Sequence, residues 1–205
     1  ELPRAVISAT RGNHGQSVAW AARTHGVHCT IVVPQGNSVE KNAAMRALGA
    51  ELVEHGDDFQ ASREHAAQLA QQQGALMVPS FGAELVCGVA TGWWEFFRAA
   101  PGLDVVYEPI GLGSGICAAI AAKLALGHTT RIVGVVSRHA TTYADSLAAD
   151  RVVAAPVSTV LADGMACRVA EPEALEIIGS HVDHIVQVDD AEVAPVAAEA
   201  LKKTL

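Results

Sequence analysis

The chain has 205 residues, 50% of them hydrophobic but only 4% aromatic, and a formal net charge of -8. That length suits one large domain or two small ones, with a core built mainly from Ala, Val, Leu and Ile. The acidic balance argues against nucleic acid and anionic membrane as partners, and no apolar run reaches the ~18 residues of a membrane span.

The first apolar run, residues 5–9, predicts a buried strand. The polar turn Thr10-Arg11-Gly12-Asn13-His14-Gly15-Gln16 follows, then a helix over 17–25 that Gly26 ends. Residues 30–33 predict a strand closed by Pro34. Asn37 is the expected N-cap of a helix over 38–48, with Glu40 three residues on and Gly49 as the stop. A strand over 51–54, a polar helix over 59–73 ending at Gly74 and a strand over 75–78 come next. Residues 80–82 are the expected crossing to a second domain, which opens on a helix over 83–98 carrying Trp93, Trp94, Phe96 and Phe97. Residues 105–110 predict a strand, followed by three alternate glycines, Gly111, Gly113 and Gly115, and a helix over 116–126. Then come a strand over 131–136, a helix over 140–147, an extended piece over 152–154 and the loop Ala162-Asp163-Gly164. A helix over 173–180 with Pro172 at its start and a strand over 184–188 follow. Asp189 and Glu192 form a capping-box pattern that opens a helix to the end. The chain opens at once on a strand and ends inside a helix, as a piece of a longer protein would. Strands alternate with helices, which predicts an α/β fold of two domains, 4–82 and 83–205, with parallel sheets covered on both faces.

Four cysteines, Cys29, Cys87, Cys117 and Cys167, have no paired spacing. They read as buried reduced thiols in a cytoplasmic protein, and no signal peptide is visible.

Two glycine loops, each between strand and helix, are the chemical constellation. At Gly111-Leu112-Gly113-Ser114-Gly115 the start of a helix leaves N–H donors unpaired, and glycines let the backbone approach an anion. Ser114 adds a hydroxyl donor. Such a turn is either a phosphate cradle or a tight βα turn of small residues. The G-x-G-x-G spacing departs from the dinucleotide fingerprint, and the next strand ends Val135-Val136-Ser137-Arg138, with no carboxylate for a ribose. No Gly-Lys-Ser/Thr loop is present. His25, His28 and Cys29 crowd one helix end in poor geometry for a metal, so no metal site is expected.

Residues 10–16 together with 111–115 resemble the fold-type II pyridoxal-phosphate enzymes of the tryptophan synthase beta-like superfamily, and among them the threonine/serine dehydratases. Gly12-Asn13-His14-Gly15-Gln16 matches that family's asparagine loop, and Pro109-Ile110 precedes the glycine turn as it does there. Residues 31–34 and 41–49 and Ala162-Asp163-Gly164 agree as well. The resemblance implies that Gly111, Leu112, Gly113, Ser114 and Gly115 hold the phosphate of pyridoxal 5'-phosphate and that Asn13 donates to its phenolic oxygen. Thr10, Arg11, Gly12 and His14 would lie about the substrate carboxylate. Asn13 as a plain helix cap and His14 as a surface residue are the bland alternatives. The implied reaction is elimination of water from a β-hydroxy amino acid of the threonine or serine type, giving a 2-keto acid and ammonia. The expected partner is that small amino acid, and the expected assembly a homo-oligomer.

Three departures qualify the match. The family's Schiff-base lysine would precede Glu1, so no catalytic residue is expected within the chain. Lys41, Lys123, Lys202 and Lys203 do not take its place and are expected on helix surfaces. The Ser or Thr that contacts the pyridine nitrogen would lie beyond Leu205. Arg11 replaces a small residue, and because arginine does not titrate near neutrality, racemisation is not supported. Val136 stands where the related racemases carry a metal carboxylate. Arg11 either turns to solvent or an acid, or forks onto a second carboxylate of the substrate. Should the 205 residues act alone, the alternative is a non-catalytic binder of a phosphate ligand.

Overall fold

Ala5–Ala9 forms β1, an apolar run with four of its five residues buried, as befits a strand covered on both faces. The computed structural model describes residues 2–159 and 161–204 and divides into two units, Glu1–Ser80 and Phe81–Leu205. In the first, β1 pairs in parallel with β2 (His28–Val33) and β4 (Leu76–Met77), and β3 (Glu51–Glu54) joins β2 to give the order β3-β2-β1-β4. Helices α1 (Asn13–Thr24) and α2 (Val39–Ala47) cover one face, where Ala19, Ala22 and Met45 meet Val6, Ile31 and Val33. The other face is covered by α3 (Phe59–Gln73), with Ala66 and Ala70 against Ile7, Ala9 and Val32. Alanines on the helices let backbone approach the β-branched strand residues closely.

The second unit runs α4 (Ala83–Ala99), β5 (Val105–Pro109), α5 (Ser114–Leu126), β6 (Arg131–Ser137), α6 (Thr142–Ala148), a 3₁₀ turn (Asp163–Met165), α7 (Pro172–His181), β7 (His184–Val188) and α8 (Asp190–Thr204). Its sheet is parallel in the order β5-β6-β7. Ile116 and Ile120 of α5, Tyr143 of α6 and Ile178 of α7 pack with Ile110, Ile132 and Val136. Further along that face Val106 packs with Phe97 of α4 and Ala122 of α5. On the opposite face Tyr107 is 65% exposed, so among the described residues this sheet is less fully covered at β5 than the first is at β1.

Several local expectations are corrected. Residues 13–16, read as loop, are the first turn of α1. The N-cap of α2 is Ser38, whose Oγ accepts from the Lys41 N–H at 3.3 Å; Asn37 is buried instead and donates to Asn42 Oδ1 at 2.7 Å. Helix α6 begins two residues later than expected. Cys29, Cys117 and Cys167 are buried and free, whereas Cys87 is exposed. The capping box at α8 is present: Glu192 N–H donates to Asp189 Oδ1 at 3.0 Å and Asp189 N–H to Glu192 Oε2 at 2.9 Å. Leu205, the expected end of that helix, lies outside the described residues, as do the side chains of Lys202 and Lys203.

Candidate active site

The glycine turn joins β5 to α5. Gly113 is the N-cap, and its φ of +103° lies in the left-handed region that side chains disfavour. No side chain caps this end. The first helical bond runs from Cys117 N–H to the Gly113 carbonyl at 3.0 Å, so the amides of Ser114, Gly115 and Ile116 have no acceptor among the described residues. Three free donors at a positive helix end suit an anion.

The turn has no space for side chains. A β-carbon on Gly111 would strike the carbonyl oxygen of Gly164, and one on Gly113 would lie 2.7 Å from Ala174 Cβ. Tyr143 Oη donates to the Leu112 carbonyl at 2.7 Å and accepts from the Glu171 N–H at 3.2 Å. The Leu112 carbonyl and the Gly113 N–H share one trans peptide and point opposite ways, so this anchor also aims that N–H. Burial raises the Tyr143 hydroxyl far above its ordinary range and keeps it a donor. Tyr143 carries no local sequence motif, and although Gly164 belongs to the Ala162-Asp163-Gly164 loop, only tertiary packing brings the two to the turn.

Glu108 is the unexpected neighbour. It stands on β5 between Val106 and Ile110, both buried, and its Oε1 lies 2.6 Å from where a β-carbon on Gly115 would sit. Burial pushes its carboxyl up to about 7. It has no hydrogen-bond or ion-pair partner among the described residues.

The asparagine loop is built by Thr10, which is itself buried. Its Oγ1 accepts from the Gly12 N–H at 2.9 Å and the Gly15 N–H at 3.3 Å, and its own N–H donates to the Val32 carbonyl. The hydroxyl thus faces inward as a brace, which corrects the expectation that Thr10 itself meets the substrate. The amides of Asn13 and His14 have no backbone acceptor among the described residues, and α1 has neither a side-chain cap nor an acid in its first turn. Asn13 is exposed and caps nothing. His14 is not a surface residue: burial lowers its pKa, outweighing the opposing influence of the Val78 carbonyl. Gly15 packs so tightly that a β-carbon would lie 2.6 Å from Met45 Sδ. Arg11 is half-buried, makes no ion pair among the described residues, and leaves its Nε buried without a partner.

Lys41 stands on α2 as expected and is half-buried. Its stem lies on Gly12, with Cδ 2.7 Å from where a β-carbon would sit. Among the described residues no cluster of His, Cys, Asp or Glu could hold a metal ion, and Val136 is fully buried.

Parallel helix-covered sheets, a side-chain-free cradle at one helix start and an Asn-His turn at another are the marks of a fold-type II pyridoxal-phosphate enzyme. The chain belongs to the pyridoxal-phosphate dependent enzyme family, which it matches over residues 1–204. It is 35% identical to an L-threonine ammonia-lyase of Geobacter sulfurreducens, over 99% of this chain and 51% of that protein. The processed form of threonine deaminase isoform 2 from Solanum lycopersicum superposes with a TM-score of 0.82 at 28% identity, covering 92% of this chain and 55% of that one. Maize serine racemase superposes with a TM-score of 0.84 at 23% identity, over 93% of this chain and 58% of that one, a likeness of fold alone. The chain spans about half the length of the curated relatives it matches, or less. Among its described residues no helix is long and apolar enough to cross a membrane.

Proposed function

We propose that the protein eliminates water from a β-hydroxy amino acid of the threonine or serine type, releasing a 2-keto acid and ammonia. The carrying observation is the glycine turn: Gly113 sits at φ +103°, and a side chain on Gly111, Gly113 or Gly115 would fill the cradle. A phosphate fits there, held by the amides of the turn and the first turn of α5, with the Ser114 hydroxyl beside them. When bound, pyridoxal phosphate supplies the electron sink that lets an α-proton and then a β-hydroxyl leave.

The chain's own residues bind and orient. Thr10 fixes the loop through Gly12 and Gly15, which leaves the amides of Asn13 and His14 to take a substrate carboxylate at the positive end of α1. The exposed Asn13 amide is free to donate to the phenolic oxygen of the cofactor. Buried and neutral, His14 adds no positive charge to the loop. The lysine that completes the reaction belongs outside these loops, and a cytoplasmic homo-oligomer is the setting we assign.

The full-length enzyme should form 2-oxobutanoate from threonine or pyruvate from serine, read by a coupled keto-acid assay. No keto acid from either substrate overturns the reading. A second reading, a non-catalytic holder of a phosphate ligand, is favoured by one observation: Lys41 belongs to α2 and Lys123 to α5, and neither is part of either loop. Absence of absorbance above 400 nm in cofactor-loaded full-length protein would select it.

A further inference from the structure

Glu108 occupies a place that the sheet reserves for an apolar residue. Val106 and Ile110 flank it on the same face of β5, each packed into a hydrophobic cluster. Its register partner on β6 is Gly134, and its contact on α5 is Gly115, so neither neighbour offers a side chain to pair with it. The charged residues of the surrounding elements are Glu84, Glu95 and Arg98 of α4, Lys123 of α5 and Arg131 at the start of β6. None makes an ion pair or hydrogen bond with Glu108. The carboxyl therefore lies against the second residue of the helix whose free amides form the cradle, with nothing to neutralise it.

We propose that Glu108 couples occupation of the cradle to protonation: the site takes up one proton from solvent on Glu108 as it takes up a phosphate-class dianion. The inference rests on the cradle reading above. An ionised carboxylate against Gly115 repels an incoming dianion across a short, partly desolvated gap, whereas the protonated acid carries no charge. Burial has already brought Glu108 to about 7, so the bound anion needs to add only a modest further push to keep it protonated near neutral pH. Other groups at the turn do not compete for this proton. Burial, with Glu173 second, pushes the Cys117 thiol up to about 12, and Tyr143 is raised further, so both stay protonated throughout. Glu171 meets Tyr143 through its backbone N–H.

Sulfate is the probe, because it remains a dianion across the range and its own titration cannot mimic the effect. Amide shifts of residues 113–116 would be followed by NMR during sulfate titration of the 205-residue chain, with ionic strength balanced by chloride. The dissociation constant should rise about tenfold from pH 6 to pH 8.5, one pKa unit of coupling being tenfold in affinity. In Glu108→Gln it should be flat and close to the low-pH wild-type value. Wild-type protein alone gives a second reading: the midpoint of the Glu108 carboxyl carbon should move upward when sulfate is added. Sulfate binding with the same pH dependence in both proteins, or a Glu108 midpoint indifferent to sulfate, overturns the coupling and leaves the cradle standing. Amides that ignore sulfate at every pH in both proteins overturn the cradle itself, and the coupling with it.

Discussion

Ser8 Oγ lies 2.9 Å from His14 Nε2 and donates at 2.8 Å to the Val78 carbonyl. With its proton given to Val78, the hydroxyl accepts from Nε2–H, so the network sets the His14 tautomer and leaves Nδ1 as a buried acceptor without a partner. One relay thus ties β1, the first turn of α1 and the segment after β4 together beneath Asn13. Burial holds the folded-state pKa of His14 below its ordinary 6.5. The unfolded chain therefore binds a proton that the native state refuses, and stability should fall as pH drops below about 6.5. His14→Gln should lose that fall, seen as a wild-type-minus-variant difference in urea midpoints that shrinks toward pH 5. Ser8→Ala strands the buried Nε2–H and should cost about 1–3 kcal/mol at neutral pH. A difference independent of pH would show His14 to be exposed to solvent in the native state.

Gly15 and Gly88 should respond oppositely to alanine. A methyl on Gly15 would meet Thr10 Cγ2, Ile31 Cγ2 and the Met45 sulfur in a packed core, an overpacking cost of about 1–3 kcal/mol. Gly88 lies inside α4 with nothing within 4 Å of the added carbon, so helix propensity alone should raise stability by up to about 1 kcal/mol. Thermal melts of the two variants decide the matter, and a stabilised Gly15→Ala would mean the loop is looser than its contacts imply.

What could be read from the sequence follows from how local each signal is. The end of α3 was legible because Gly74 sits there in the left-handed region; its start is capped by Asp58, which accepts from the Ala61 N–H at 2.8 Å. The turn itself was legible because three alternate glycines separate a β-prone run from a helix-prone one, although the same pattern also fits a plain tight turn of small residues. The start of α1 was not, because its organiser is the Thr10 hydroxyl, three residues before the helix, and not a capping side chain. Asn37 misled for a related reason. Its amide closes on Asn42, five residues on, leaving Ser38 to cap. Tyr143, the approach of Gly164 to Gly111 and that of Glu108 to Gly115 depend on elements far apart in the chain or on the pleat of β5, and no window of residues contains them.

Glu108 should also mark the stability profile. Its folded-state pKa of about 7 stands above the ordinary carboxylate value, so the native state holds the proton more tightly than the unfolded chain. Stability should then fall as pH rises from about 4.5 to 7 and level off above. Because the group is partly exposed, solvent screening reduces the effect to about 1–2 kcal/mol. Above pH 7 Glu108→Gln should be the more stable protein by that amount, and the difference should vanish near pH 4.5. Equal stability at both ends would mean that Glu108 is solvated when ionised.

Asn13→Ala should leave folding alone and damage binding. Asn13 is exposed and its side chain caps no helix, so the melting transition should move by less than about 0.5 kcal/mol. Loss of one hydrogen bond to a charged phenolic oxygen should weaken pyridoxal-phosphate affinity of the full-length enzyme by about 1.5–3 kcal/mol, roughly 10- to 150-fold. Fluorescence titration measures it, and unchanged affinity would remove Asn13 from the cofactor.

Arg11 carries the last prediction. It follows the braced Thr10 and precedes Gly12, so its backbone is fixed at the edge of the asparagine loop. Among the described residues it has no ion pair, and its Nε is buried with no acceptor, which excludes a guanidinium fully turned to solvent. A buried donor without a partner is costly, and a planar guanidinium matches a carboxylate through two parallel hydrogen bonds. A second acid group on the substrate, such as that of a hydroxylated aspartate, would satisfy both conditions. On the full-length enzyme, Arg11→Ala should therefore cut kcat/KM for the diacid by about 10- to 100-fold, the worth of a charge-assisted pair, while turnover of serine changes little. Arg11→Lys should restore only part of the loss, because an ammonium cannot fork. Equal loss on both substrates, or none on either, would make Arg11 a structural residue and leave threonine or serine as the preferred substrate.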